Sequence, residues 1–433
     1  MELILGNTLK CLRCYNWNNS SNAGVFSLNL NNYRSNSNNN VSFRDSYPKI
    51  LKKNIGDNRD VLSRLSRNLQ FLFFFLVEKS KIRKENILKR YGNLFDSTFT
   101  MENLYEAYLN ARRGKRKKRA CFEFETNLGA NLTALYNEIH SDTYKLQPYH
   151  IFKVYEPKER MIHAPAFRDI VVQHAIYKVI YPIFNNTFIS TSFACRKGFG
   201  THKASIYTQK ALRRYSEDLY TLKLDVKKFF YSIDRNILKS LLEKKIKDKK
   251  FINITMLFTD YEDASGIPIG NLLSQIFALI YLNPIDQYIK RVLKVKDYVR
   301  YVDDFILFGL TRDKCIEYKE KIEIFLKENL HLELSKFSIQ KIKRGVNFVG
   351  YRTWQNYRLI RKHSLYKFKK SLKKQKNEAI MSLLGHSKNT LSIYHLINLI
   401  KEDKNETISL PTNLRQAYNN RCKLTRECNN TLV

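Results

Sequence analysis

The sequence predicts an α+β chain in which an antiparallel sheet carries a set of carboxylates and helices lie behind it. Three observations lead there. Tyr298-Val299-Arg300-Tyr301-Val302-Asp303-Asp304-Phe305-Ile306-Leu307-Phe308 sets two adjacent acids between two short runs of β-forming residues, the pattern of a hairpin with acids at its tip. Thr221-Leu222-Lys223-Leu224-Asp225-Val226 reads as a strand running into a turn and then a helix, and it adds a third acid. Elsewhere apolar residues recur at helical spacing. Glu102 to Ala111 reads as one amphipathic helix, and Phe122 to His140 as a second, with Leu128, Leu132, Leu135 and Ile139 on its core side.

Presenting two negative charges at a turn between buried aromatic and β-branched flanks is costly unless something positive fills the gap. Mg²⁺ together with the phosphates of a nucleotide would fill it. Asp225, Asp303 and Asp304 could then hold two metal ions side by side, with Mn²⁺ as an alternative. The competing reading takes the three acids as plain surface charges, and their hydrophobic frames argue against it.

The hairpin resembles the Tyr-x-Asp-Asp motif of reverse transcriptases, and Asp225 followed five residues later by Phe230 resembles their other palm motif. The resemblance extends over roughly residues 145–365. Lys158-Glu159-Arg160 and Arg168 to Ala175 are similar to the fingers, and Phe193 to Ala204 to the following fingers-to-palm motif. Gly266-Ile267-Pro268-Ile269-Gly270-Asn271-Leu272-Leu273-Ser274-Gln275 is similar to the template-gripping loop, and Asn347-Phe348-Val349-Gly350-Tyr351 to the primer grip.

The resemblance implies a right-hand polymerase fold of fingers, palm and thumb. It also implies that Asp225 and Asp303 bind both ions, that Asp304 supports them, and that the Val226 carbonyl completes one shell. Lys158 and Arg160 would clamp the triphosphate of the incoming deoxynucleotide, unless they are ordinary surface charges. Phe230 would lie under the sugar and exclude a 2′-hydroxyl, unless it is a core phenylalanine. Lys336 resembles the basic residue that protonates pyrophosphate. Template RNA, nascent cDNA and deoxynucleotides are the implied partners.

One departure is informative. Most reverse transcriptases carry Gln-Gly followed by Ser-Pro in the template loop; this chain has Ile269-Gly270 followed by Ser274-Gln275. Ile269 removes an amide that could hydrogen-bond near the nucleotide, so discrimination between correct and wrong substrates should fall. The same pair of changes resembles the reverse transcriptases of diversity-generating retroelements, which copy a template RNA with errors at adenines and work with a small basic accessory protein. The Asn-rich start fits this resemblance. Residues 16–44 hold Asn16, Asn18, Asn19, Asn22, Asn29, Asn31, Asn32, Asn36 and Asn38 to Asn40, and asparagine codons begin with two adenines. A translated template repeat would read this way, with Met101 as a candidate start of the enzyme proper. As conformation, such a segment is expected to be a disordered polar tail.

Rival readings are another bacterial reverse transcriptase, from a group II intron, a retron or a phage-defence system, and a silent RNA-binding protein that kept the fold. Only residues 352–433 follow the primer grip, little room for a maturase and endonuclease region, and intact acids argue against a silent protein.

Composition agrees with a polyanionic partner. Lys and Arg number 76 against 40 Asp and Glu, a formal charge of +36 that favours nucleic acid. Arg112-Arg113-Gly114-Lys115-Arg116-Lys117-Lys118-Arg119 is either a solvated linker or a phosphate contact. Seven cysteines without an even framework argue against a disulfide scaffold and for a reducing, cytoplasmic setting. Cys11-Leu12-Arg13-Cys14 has metal-like spacing but no second pair to complete a zinc site. Phe71 to Val77 is far shorter than the ~20 apolar residues of a membrane span. The expected organisation is an Asn-rich extension over 1–100, N-terminal helices and fingers over 101–215, palm over 216–352, and a basic helical thumb over 353–433.

Overall fold

The computed structural model describes residues 90–155, 159–261 and 265–402, together with Thr412, Leu414, Gln416 and Asn419. The Asn-rich tail, the Cys11 and Cys14 pair and Lys158 lie outside these residues.

Four helices open the described chain: α1 (Leu94–Thr98), α2 (Met101–Ala111), α3 (Arg119–Thr126) and α4 (Leu128–His140). Thr100 caps α2, its side chain accepting from the Asn103 N–H. Phe99 just before it is fully buried, and Tyr91 forms a parallel bridge with Ile246. A chain begun at Met101 would lack all three. The single helix expected over Phe122 to His140 is two, broken at Asn127. Asn127 leaves helical dihedrals (φ −125°, ψ 47°), and the Asn131 side chain takes up the Phe124 carbonyl at 3.0 Å. The break lets Phe124 stack on Tyr108 while Leu132, Leu135 and Ile139 remain buried.

A two-stranded hairpin follows, β1 (His150–Val154) with β2 (Arg160–Ala164). Then come the long helix α5 (Phe167–Asn185) and α6 (Thr201–Leu212). The central sheet is antiparallel, in the order β4 (Tyr298–Tyr301), β5 (Asp304–Leu310), β3 (Tyr220–Val226), β6 (Leu334–Lys341). Between β3 and β4 lie α7 (Arg235–Glu243), α8 (Lys249–Leu257) and the nearly all-buried α9 (Leu272–Gln287); α10 (Arg312–Leu330) joins β5 to β6.

Successive residues of a strand point to opposite faces. In β5, Phe305 and Leu307 enter the main core with α5 and α9, while Ile306 and Phe308 join a second cluster with Phe193, Leu212 and Phe348. In β3, Leu222, Leu224 and Val226 take the main-core face, which leaves Lys223 and Asp225 on the other. A sheet buried on both faces along these strands has a fixed register, since a one-residue slip would put the carboxylates into the core.

A small sheet, β7 (Val346–Phe348), β8 (Tyr351–Thr353) and β9 (Arg358–Ile360), leads to α11 (Lys362–Lys373), α12 (Asn377–Ser387) and α13 (Ser392–Glu402). These helices share a separate core of Phe368, Leu372, Ile380, Leu384, Leu396 and Ile397 with Tyr351. In the region expected as a basic helical thumb over 353–433, Lys367, Lys369, Lys370 and Lys373 lie on α11.

Candidate active site

Register brings the acids together. Asp225 at the end of β3 lies directly opposite Asp304 at the start of β5, and the Val226 N–H donates to the Asp303 carbonyl at 3.3 Å. Opposed residues in an antiparallel pair hold their Cβ atoms about 5 Å apart, so two like charges face each other here at a cost. The Asp304 carboxyl is raised to about 6, chiefly by burial, with the Lys223 ammonium opposing the shift and the Asp225 and Asp303 charges adding to it. Lys223 Nζ donates to Asp304 Oδ2 at 2.8 Å, and Asp304 Oδ1 is buried with no hydrogen-bond partner.

Two features hold this arrangement. The first is a bulge: β6 shifts register between Asp225 and Val226, so that Ser335 is the extra residue between Leu334 and Lys336. Its hydroxyl donates to Asp225 Oδ2 at 2.5 Å and to the Asp225 carbonyl at 3.2 Å. The second lies under the hairpin tip. Val302 has φ 56°, a left-handed backbone that a β-branched residue adopts only under strain. Arg300, wholly buried, donates from Nη1 to the Val302 carbonyl at 3.0 Å. Its Nε and Nη2 grip both oxygens of Asp286 at 2.7 and 2.5 Å, and Tyr298 donates to the same carboxylate at 2.8 Å. A fully satisfied buried fork thus anchors the carbonyl one residue before Asp303.

Phe230, Ile269, Gly270 and Arg160, expected to contact nucleotide or template, lie in the turn after β3, the loop before α9 and strand β2. After Val226 the chain turns through Lys228 in left-handed conformation (φ 44°) into a single 3₁₀ turn, Phe229–Tyr231. Phe230 is half-buried there, and its carbonyl accepts from the Ile267 N–H at 2.8 Å. Gly266 must be glycine, because a Cβ would fall 2.7 Å from the Tyr231 Cα. Gly270 packs as closely on β2, where a Cβ would meet the His163 carbonyl oxygen at 2.6 Å; the Ile269 carbonyl accepts from the His163 N–H at 2.7 Å. The template-loop residues Ile269 and Gly270 are therefore locked to the same strand that begins with Arg160, which is exposed. Gln275 is exposed on the first turn of α9. That helix is capped from another element: Gln173 of α5 accepts the Leu272 and Leu273 N–H groups at 2.8 and 3.3 Å and donates to Asn271. A cavity of about 530 Å³ opens beside the 3₁₀ turn, lined by Lys227, Lys228, Tyr231, Ser232, Arg235 and His331 among others.

Lys336 is exposed and stands opposite Asp225 in the ladder, on the same face as the acids. Of the residues expected at the site, only Lys158 lies outside the described chain. Ser335, Lys223, Asp286 and the anchoring role of Arg300 were not foreseen. Lys223 carried a signal, since it lies two residues before Asp225 and so on the same face of a strand; a bulge and a buried ion pair leave none.

The carboxylates offer a hard, oxygen-only donor set, including an orphaned buried oxygen at Asp304, which suits Mg²⁺ or Mn²⁺ over softer metals. Among the described residues no three His, Cys, Asp or Glu groups close to ligating distance. Two of the carboxylate oxygens are instead taken up by Lys223 and Ser335. No described helix is long and apolar enough to cross a membrane.

An antiparallel sheet presenting acids at a strand end and an adjacent hairpin, backed by helices, is the palm of a right-hand polymerase. Residues 153–353 match the family described as Reverse transcriptase (RNA-dependent DNA polymerase), so the chain carries a reverse transcriptase domain. It is similar to group II intron-encoded protein LtrA of Lactococcus lactis, at 24% identity over 63% of this chain and 58% of that one. It is also similar to a COX1/OXI3 intron 2 protein of Saccharomyces cerevisiae (22%, 72% of this chain, 42% of that one) and to protein YkfC of Escherichia coli (26%, 56% and 74%). The chain thus spans about half the length of the intron-encoded relatives. Among solved structures it resembles telomerase from Candida albicans, with 15% identity, a TM-score of 0.38, and coverage of 61% of this chain and 56% of that one.

Proposed function

We propose that this chain is an RNA-directed DNA polymerase that copies a template-repeat RNA into cDNA with errors at adenines, diversifying a target gene. The observation that carries the polymerase reading is the opposition of Asp225 and Asp304 across one ladder with Asp303 at the adjoining turn. Asp225 and Asp303, with the Val226 carbonyl, would hold the two divalent ions and Asp304 would support them. Bound there, the ions would supply activation of a primer 3′-hydroxyl and neutralisation of the departing pyrophosphate. The chain's own groups do the rest. Ser335 fixes the rotamer of Asp225, and Arg300 fixes the turn that presents Asp303. Arg160 and Lys158 meet the triphosphate, Phe230 closes against a 2′-hydroxyl, and Lys336 donates a proton to pyrophosphate.

Diversification is supported by Ile269, by Gln275 after Ser274, and by the Asn-rich residues 16–44. Such an enzyme would be cytoplasmic and would work with a small basic accessory protein. A second reading, an intron-type reverse transcriptase, draws on the intron-encoded relatives. Sequencing cDNA made on a defined RNA separates the two. Errors concentrated at template adenines, reduced by Ile269→Gln, support diversification; a uniform low error rate favours the intron type. The DNA flanking the gene gives a second check, since a near-copy of the segment encoding residues 16–44, differing mainly at adenines, should end a neighbouring gene.

A further inference from the structure

Lys223 does more than neutralise a neighbour. Its Nζ lies 2.8 Å from Asp304 Oδ2 and 2.9 Å from the carbonyl oxygen of Asn347, and 5.9 Å from the centre of the Phe348 ring. One ammonium therefore ties a catalytic-site carboxylate in β5 to the hairpin between β7 and β8. We propose that Lys223 is a positioning residue that couples the metal-binding carboxylates to the hairpin holding the primer end; this rests on the polymerase reading above.

The physical case has three parts. An ammonium has three donors in tetrahedral array, so it can serve a carboxylate and a carbonyl at once with one N–H to spare. Lys223 and Asp304 are each only one-quarter exposed, which shields the pair from the screening that makes surface ion pairs weak. The hairpin also needs holding. Its turn residue Val349 has φ 43°, a left-handed conformation costly for a β-branched side chain. Its second strand is held by the Tyr351 hydroxyl, 2.8 Å from Nδ1 of His202 in α6 and 2.9 Å from the His386 carbonyl in α12. Lys223 supplies the matching hold on the first strand, at Asn347. The hairpin is thus pinned to the carboxylates on one side and to fingers and thumb helices on the other, so primer placement and carboxylate placement move together.

The test uses the full chain, Lys223→Met, Lys223→Arg and Asp304→Asn, with two readouts. Fluorescence anisotropy gives the primer–template Kd in EDTA, where no ion contributes; primer extension in Mg²⁺ gives kcat. Lys223→Met should weaken primer–template binding in EDTA about tenfold and lower kcat at least as much, Lys223→Arg should recover most of both, and Asp304→Asn should lower kcat while leaving the Kd near that of the parent. Parent-like Kd in Lys223→Met, with or without a fall in kcat, overturns the coupling. So does primer–template binding by Lys223→Arg that is no tighter than that of Lys223→Met. Failure of the parent itself to extend any primer counts against the polymerase reading instead.

Discussion

The β5 strand of the palm sheet sends Phe305 and Leu307 into one core and Ile306 and Phe308 into another, whereas every residue of β1 in the fingers hairpin is exposed. Both are antiparallel, but β5 pairs along both edges in a four-stranded sheet and β1 along one edge only. Burial separates them further. Two-sided packing fixes the register of the palm and so places Asp225 against Asp304 without help from substrate. A two-stranded hairpin has no such constraint and is at best marginally stable in isolation. β2 is instead held through backbone contact with Ile269 and Gly270. The carboxylates thus stand on the doubly packed sheet, and the expected substrate contacts on the exposed hairpin.

Substitutions can break this contrast. The largest effect should come from Asp225→Asn, which should lower kcat by about a thousandfold or more, given the several kcal/mol that ion-held charge stabilisation contributes, with no fall in melting temperature. Next is Arg300→Met, which should act through the fold. It leaves Asp286 as an uncompensated buried charge at a cost of about 3–5 kcal/mol, read as a large fall in melting temperature. An equivalent loss in the fingers should be absent. Arg160→Ala should raise the KM for deoxynucleotide about tenfold, as loss of one charge-assisted contact to phosphate, and leave melting unchanged. If Arg160→Ala also melts early, the contrast between the two regions fails.

The smallest effect sharpens the picture of the palm. Because the folded-state carboxyl of Asp304 titrates near 6, above its ordinary value, the fold gains stability from its protonated form at low pH and loses it as pH rises through about 6. Asp304→Asn should remove that loss and raise stability at neutral pH by about 1 kcal/mol while impairing synthesis. Urea melts at pH 4 and pH 7 check the sign: parent and variant should converge at the acid end and part at the neutral one.

Much of the site was legible in the sequence. Asp225, Asp303 and Asp304 announced themselves because strand-forming flanks around paired acids are unfavourable without a purpose, whereas the loop of Gly266 and Gly270 was marked by its resemblance to the template-gripping loop. The supporting shell was not. Ser335 reaches Asp225 only through a bulge, and bulges follow from strand register, which a sequence does not display. Arg300 meets Asp286 across a helix and a strand, and Gln173 caps a helix about a hundred residues away. Such contacts are set by packing. The break at Asn127 is hidden for a related reason: Leu128 to Ile139 continues the apolar period of the preceding helix, while the contacts that divide the two are the Asn131 bond to the Phe124 carbonyl and the stacking of Phe124 on Tyr108.

The most direct measurement is extension of a DNA primer on an RNA template by purified protein, with Mg²⁺ and deoxynucleotides, alongside Asp225→Asn and an EDTA control. Synthesis by the parent chain alone, and only with the ion present, is the predicted result. Equal extension by Asp225→Asn, or none by a folded parent that binds the primer–template, would contradict it.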